Sequence, residues 1–217
     1  MHFTLTDLVT DITQNGIESG ASLVELDITE IDKGEFRFTV KDNGKGMSNE
    51  ELELAQDPFV TDGIKHPNRK IGLGLPFLIQ TAEQSGGGWK MESKKQTEPV
   101  PPDTGAQPSS GTMVSAWFDL ANVDTPPVGD IPGMLRTVLL FNGPAEMVIH
   151  RRREVAGDSG ESIGYEVRKT ELAEALGDLD DTQSIVLLDQ YLRSLEQSSA
   201  EQEPGEKPEA PAEAGDE

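Results

Sequence analysis

The sequence of 217 residues contains no cysteine, which excludes disulfide bonds and thiolate metal sites. It has no apolar run of the roughly 18 residues that a membrane-spanning helix needs, and its N-terminus lacks the pattern of a secretory signal peptide. The Gly-Lys-Ser/Thr sequence of a P-loop is also absent. We therefore expect a cytoplasmic protein that does not insert into membranes.

Basic residues are scarce, since 18 Lys and Arg stand against 40 Asp and Glu, for a net charge of −22. Nucleic acids and anionic membranes both favour clustered positive charge, so we do not expect this chain to bind either of them. Part of the excess lies in residues 198–217, with seven acidic residues against one lysine. That segment has too few apolar side chains to fold, and we predict a disordered tail.

The most informative stretch is residues 41–47, Lys-Asp-Asn-Gly-Lys-Gly-Met. It follows an alternating run over residues 35–40 that predicts a strand, and it precedes a capped helix predicted over residues 48–56. An aspartate that ends a strand beside glycines faces open space, and the glycines allow a flat ligand to approach closely. Asn-Gly is also the commonest hairpin turn. A calcium loop is excluded because its sixth position, which requires glycine, is Met47.

Two motifs flank this stretch in the sequence. Asp11 and Asn15 lie one turn apart on a helix predicted over residues 4–19, so their side chains point the same way. Residues 70–76, Lys-Ile-Gly-Leu-Gly-Leu-Pro, begin another predicted helix, whose first backbone N–H groups suit a phosphate.

Two further segments complete the pattern. Residues 57–70 are polar and carry several basic side chains, which indicates either a flexible loop or a phosphate contact. A strand predicted over residues 112–120 follows Gly111.

These motifs, in this order, resemble the four sequence boxes of the GHKL ATPases, the superfamily of gyrase, heat-shock chaperone ATPases, histidine kinases and mismatch-repair ATPases. The resemblance implies the Bergerat ATP-binding fold over residues 1–121, a two-layer α/β sandwich with helices on one face of a mixed β-sheet. A small α/β C-terminal extension over residues 122–197 resembles one in small stand-alone bacterial histidine-kinase-like ATP-binding proteins. Residues 198–217 form the predicted tail.

The resemblance also implies ATP and Mg²⁺ as cofactors. Asp42 would accept a hydrogen bond from the adenine amine, and Thr112 would hold the Asp42 carboxylate in place. Asn15 would offer its side-chain oxygen to Mg²⁺, and Asp11 takes the position of a general base that is glutamate in the hydrolysing branches. Further nucleotide contacts are implied for the glycine motifs and the segment between them, which resembles the ATP lid: Gly44, Gly46, Lys65, Arg69, Lys70, Gly72, Gly74 and Leu75.

Three functions fit these motifs. The first is a histidine-kinase-like ATP-binding protein that transfers phosphate in trans to a partner protein, contacted through residues 57–70 or through the C-terminal extension. The second is a nucleotide-sensing module. The third is an ATPase that is slow because Asp11, at the position of the general base, is one methylene shorter than glutamate. We do not expect autophosphorylation of the usual kind, since none of His2, His66 and His150 lies in a paired-helix segment.

Overall fold

The computed structural model describes residues 4–31, 34–56, 74–96, 110–144, 146–154 and 162–201. Within these ranges the chain forms, in order, α1 (Leu5–Glu18), β1 (Leu23–Ile31), β2 (Glu35–Asp42), α2 (Asn49–Gln56), α3 (Gly74–Gln84), β3 (Gly88–Lys94), β4 (Gly111–Asp119), α4 (Ile131–Leu140), β5 (Glu146–Glu154), β6 (Ser162–Arg168), α5 (Lys169–Leu176) and α6 (Thr182–Glu201). None of the helices described is both long and apolar enough to cross a membrane.

The strands form one mixed sheet in the order β3-β4-β2-β1-β5-β6. Alternation along β2 shows how the helix layer is placed. Phe36, Phe38 and Val40 are buried against the helices, whereas Arg37 and Lys41 are exposed on the other face. The predicted two-layer α/β sandwich is therefore confirmed, and the alternation brings Asp42 to the helix-covered face.

The C-terminal part of the chain continues the same sheet. Strand β5 pairs in parallel with β1 over the full length of both strands, and β6 pairs antiparallel with β5. Residues 127–128 also accept hydrogen bonds from the first N–H groups of α1, Leu5 to Pro127 O and Thr6 to Val128 O, both at 2.9 Å. The predicted boundary after residue 121 thus separates strands that belong to one continuous sheet. The division into domains stays a prediction.

Helix starts follow the local sequence closely. In the capping box predicted at α2, the Ser48 N–H donates to Glu51 Oε2 at 2.8 Å and the Glu51 N–H to Ser48 Oγ at 3.3 Å. A second capping box joins Thr4 and Asp7 at the start of α1.

Two predicted boundaries were wrong. The sequence predicts a strand over residues 146–150 with the basic run 151–153 after it, but these arginines belong to β5, where distant carboxylates neutralise Arg151. Helix α6 was expected to end near residue 195 but continues to Glu201. Residues 198–201 of the predicted disordered tail are therefore helical, because extending an existing helix is far easier than starting one. Residues 202–217 lie outside the described residues.

Candidate functional site

The Asp42 carboxylate lies at the end of β2, and the residue is 8% exposed. Its Oδ1 accepts hydrogen bonds from the Gly44 N–H at 2.8 Å and from Ser19 Oγ at 3.0 Å. Burial raises the pKa of Asp42, and the hydrogen bonds from Gly44, Ser19 and the Thr112 backbone N–H partly offset that rise. The fold thus holds a carboxylate in a partly apolar setting with donors from three separate segments.

Thr112, which was expected to hold the Asp42 carboxylate, contacts it through the backbone N–H and not through the side chain. The two residues face each other in the β2–β4 register, so the backbone N–H of Thr112 reaches the carboxylate. The Thr112 hydroxyl instead lies 2.9 Å from Ser93 Oγ on the neighbouring strand β3. The side-chain donor to Asp42 is Ser19, which the sequence analysis did not single out.

The glycines beside Asp42 are required by contacts within the protein. A Cβ on Gly44 would lie 1.8 Å from Ser19 Oγ, so the loop packs directly on the end of α1. Gly46 has a φ of +59°, and a Cβ there would lie 1.9 Å from the carbonyl oxygen of Lys94. Of these two glycines only Gly46 has a positive φ, and both allow the loop to approach neighbouring elements.

A second group of predicted residues meets where α3 begins. A Cβ on Gly74 would lie 3.6 Å from Asp11 Oδ2 and 3.8 Å from Asn15 Nδ2. The start of α3 therefore lies directly against the polar face of α1. Asn15 is exposed and does not continue the buried stripe of α1, whereas the Leu75 side chain, 7% exposed, belongs to the core. Leu75 can therefore meet a ligand through its backbone alone.

Helix α1 connects the two groups. Gly16 packs against Asp42, because a Cβ on Gly16 would lie 3.5 Å from Asp42 Cβ and 3.7 Å from Asp42 Oδ2. Asn15 is the residue before Gly16 and so lies close to Asp42 as well. Asp11, Asn15 and Ser19 recur at a spacing of four, which puts them on one face of α1. That spacing is the signal by which the sequence could have identified Ser19.

The other predicted contacts, Lys65, Arg69, Lys70 and Gly72, lie outside the described residues. Asp11 also lines a cavity of about 640 Å³ between α1 and α4. Thr10, Asp130 and Thr137 line it as well, which gives it a polar wall. Of the histidines, His150 lies in β5, and His2 and His66 are not described.

Comparison with known proteins gives one relative and several solved structures. The DNA mismatch repair protein MutL of Thermus aquaticus is 31% identical over an alignment of 116 positions, which covers 45% of this chain and 21% of MutL. The chain thus spans about a fifth of that relative. The N-terminal domain of a DNA repair protein has a TM-score of 0.49 at 14% identity, with 81% of this chain and 57% of that chain covered. The topoisomerase IV ATP-binding domain of Francisella tularensis, in complex with a small-molecule inhibitor, has a TM-score of 0.40 at 16% identity, with 76% and 88% covered.

The family described as histidine kinase-, DNA gyrase B-, and HSP90-like ATPase matches residues 3–122, which is more than half of the chain. The matched segment contains every site residue that the structure describes, from Asp11 on α1 to Thr112 on β4. The chain therefore belongs to the family of histidine kinase-, DNA gyrase B- and HSP90-like ATPases, the GHKL family of ATP-binding domains.

Proposed function

We propose that this protein binds Mg-ATP between α1, α3 and the ends of β2 and β4, with Asp42 recognising the adenine ring. The observation that carries this proposal is the Asp42 carboxylate, buried and held by donors from Ser19, Gly44 and Thr112. Burying a carboxylate is unfavourable unless its partners are in place. A carboxylate fixed in this way is a directed acceptor for the exocyclic amine of adenine, whereas guanine presents a carbonyl at that position.

The neighbouring residues suit the phosphates and a magnesium ion. Mg²⁺ prefers oxygen ligands and commonly binds through one or two protein groups together with substrate phosphates. The exposed Asn15 amide, beside Asp11 and the start of α3, can supply such an oxygen. The first N–H groups of α3 favour an anion. Lys65, Arg69, Lys70 and Gly72 complete the proposed phosphate contacts.

Calorimetric titration with ATP and GTP, with and without Mg²⁺, tests the adenine role of Asp42. Asp42→Asn replaces a group that can only accept with an amide that can turn its donor toward the adenine amine. We therefore expect ATP binding to weaken by about 1–3 kcal/mol, or roughly one to two decades in affinity. Asp27→Asn is the matched control, because Asp27 lies on the opposite face of the sheet with 40% of its side chain exposed. Equal affinity for ATP and GTP, or an unaffected Asp42→Asn protein, would contradict the proposal.

For the fate of the bound nucleotide, we propose slow turnover, with Asp11 as a short-armed general base. Asp11 lies beside the start of α3 and also lines the polar cavity, through which water or an acceptor group of a partner protein could approach. A general base must come within about 2.6–3.2 Å of the group that it deprotonates. A displacement of about 1 Å can cost on the order of a hundredfold in rate. Aspartate reaches about one C–C bond less far than glutamate, so we expect slow turnover.

Two variants test the role of Asp11. We expect Asp11→Glu to hydrolyse ATP faster than the parent protein and Asp11→Asn to be inactive, while both still bind Mg-ATP. If neither substitution alters turnover, Asp11 is not a base. Labelled ATP incubated with the protein and a cell extract separates the outcomes. Label on another protein supports phosphate transfer in trans, free phosphate supports hydrolysis, and intact bound ATP supports nucleotide sensing.

A further inference from the structure

Ser19 occupies the C-terminal end of α1, directly under the loop that follows Asp42. Its backbone N–H donates to Asn15 O at 3.1 Å and to Gly16 O at 3.3 Å, so the residue is held by the last turn of the helix. Its Oγ lies 3.0 Å from Asp42 Oδ1 and 2.7 Å from Gly16 O. The single hydroxyl hydrogen is therefore shared between the Asp42 carboxylate and a helix carbonyl.

The loop that follows Asp42 packs closely on Ser19. The backbone N–H of Lys45 donates to Ser19 O at 3.3 Å, and a Cβ on Gly44 would lie 2.7 Å from Ser19 Cβ. Oδ1 of Asp42 therefore meets two donors fixed by different parts of the chain, the Ser19 hydroxyl from α1 and the Gly44 N–H from the loop. Two donors on one oxygen restrict the rotation of the carboxylate and occupy Oδ1, which leaves Oδ2 as the oxygen without a donor from Ser19 or Gly44.

We propose that Ser19 is a positioning residue that orients the Asp42 carboxylate for the adenine amine and so contributes to nucleotide selectivity. This inference rests on the proposed function of the site. The alternative hydroxyl, that of Thr112, lies 2.9 Å from Ser93 Oγ on β3, and Thr112 meets Asp42 through its backbone N–H. A side-chain change at Ser19 therefore acts on the carboxylate directly, whereas one at Thr112 acts first on Ser93.

The positioning role predicts an effect confined to ligands that donate to Asp42. The test compares ATP with purine riboside triphosphate, which lacks the exocyclic amine, by calorimetric titration. We expect Ser19→Ala to weaken ATP binding about threefold to tenfold and to leave the affinity for the analogue unchanged. Ser115→Ala is the matched control, because the Ser115 hydroxyl pairs with Thr39 on the opposite face of the sheet, 2.9 Å away.

A double-mutant cycle gives a second measurement, which distinguishes positioning of Asp42 from a merely structural role of Ser19. In the Asp42→Asn background, Ser19→Ala should have no further effect on ATP affinity, because the two side chains act as one unit. Thermal unfolding of each variant shows whether the fold is retained.

The outcomes separate the inference from the proposal on which it rests. If Asp42→Asn binds ATP like the parent protein, the adenine site itself is wrong. If Asp42→Asn weakens ATP binding but Ser19→Ala does not, the positioning role is overturned. It is also overturned if Ser19→Ala weakens ATP and the analogue equally, or if Thr112→Val alters the ratio of the two affinities while Ser19→Ala leaves it intact.

Discussion

Arg151 offers a direct test of how the C-terminal helix is held on the sheet. Its side chain is 1% exposed and donates to Glu30 on β1, to Glu196 on α6 at 3.1 Å and to the carbonyl oxygen of Arg152 at 2.8 Å. The Tyr165 hydroxyl donates to the same Glu196 oxygen at 2.6 Å. Burial and Glu196 raise the pKa of Tyr165, so the phenol stays a donor. One cation thus compensates two carboxylates between the sheet and α6.

Replacing Arg151 with Met keeps the bulk of the side chain but removes the cation from Glu196 and leaves Glu30 only the more distant Arg153, at 4.0 Å. Breaking a buried ion pair in this way costs about 3–5 kcal/mol. Since Glu30 and Glu196 retain 20% and 16% side-chain exposure, water can reach them, and we expect a loss near the lower end, about 3 kcal/mol. With a urea dependence of roughly 2–3 kcal/mol per M, the unfolding midpoint should fall by about 1–1.5 M.

The assay is urea unfolding of the full chain, followed by circular dichroism, with Arg152→Met as the control. Arg152 is the next residue on β5, its side chain is 53% exposed, and its ion pair with Asp27 is 3.5 Å long. We expect the control to change stability by less than about 0.5 kcal/mol. Adding Glu196→Gln to Arg151→Met should recover part of the loss, because it removes one uncompensated charge. Equal midpoints for the two arginine variants would refute the reasoning.

Three further predictions concern the residues around the nucleotide site. Gly46→Ala should lower the free energy of unfolding by about 2–5 kcal/mol, measured by urea titration, because Gly46 combines a φ of +59° with a Cβ position 1.9 Å from Lys94 O. Gly16→Ala should raise the free energy of unfolding by about 0.5–1 kcal/mol, since Gly16 is inside α1 and its new Cβ would make ordinary contacts at 3.5 Å. A lower free energy of unfolding would show that this position cannot accept the methyl group. Asp42→Asn should gain stability relative to the parent as pH rises from 3.8 to the raised pKa of Asp42. Over that range the parent loses stability, because its unfolded chain ionises at Asp42 while the buried carboxyl in the folded state keeps its proton. Parallel stability curves for the two proteins would contradict this.

Local patterns predicted much of the fold. The alternation in β2 and the three- and four-residue spacing in α1 fixed which faces are buried, and the Ser48–Glu51 box marked the start of α2. These signals depend on residues that are near one another in sequence. The candidate site residues were predicted for the same reason, because they belong to short motifs in the sequence.

Partners that meet only in the folded chain could not be predicted in this way. The predicted strand ended at His150 and left Arg151 outside it, yet the partners of Arg151, Glu30 and Glu196, are 121 and 45 residues away in the sequence. Thr112 was expected to hold Asp42 and contacts it through its backbone N–H, but the side-chain donor Ser19, 23 residues before Asp42, was not predicted. Both sets of contacts depend on how separate segments pack in the folded chain, which no local motif encodes.

The proposed nucleotide site is also supported by residues beyond the segment that matches the family, residues 3–122. Helix α1 carries the polar face at the site, and the hydrogen-bond acceptors of its first turn lie at residues 127–128.

Helix α4 packs on α1 and is joined to α6 by the pair of Arg136 with Asp189 at 2.7 Å and that of Arg193 with Asp130 at 3.2 Å. Asp130 and Arg136 also line the cavity beside Asp11. The C-terminal elements are therefore part of the framework that holds α1, and Asp130 and Arg136 connect α6 to the wall of the cavity that Asp11 lines.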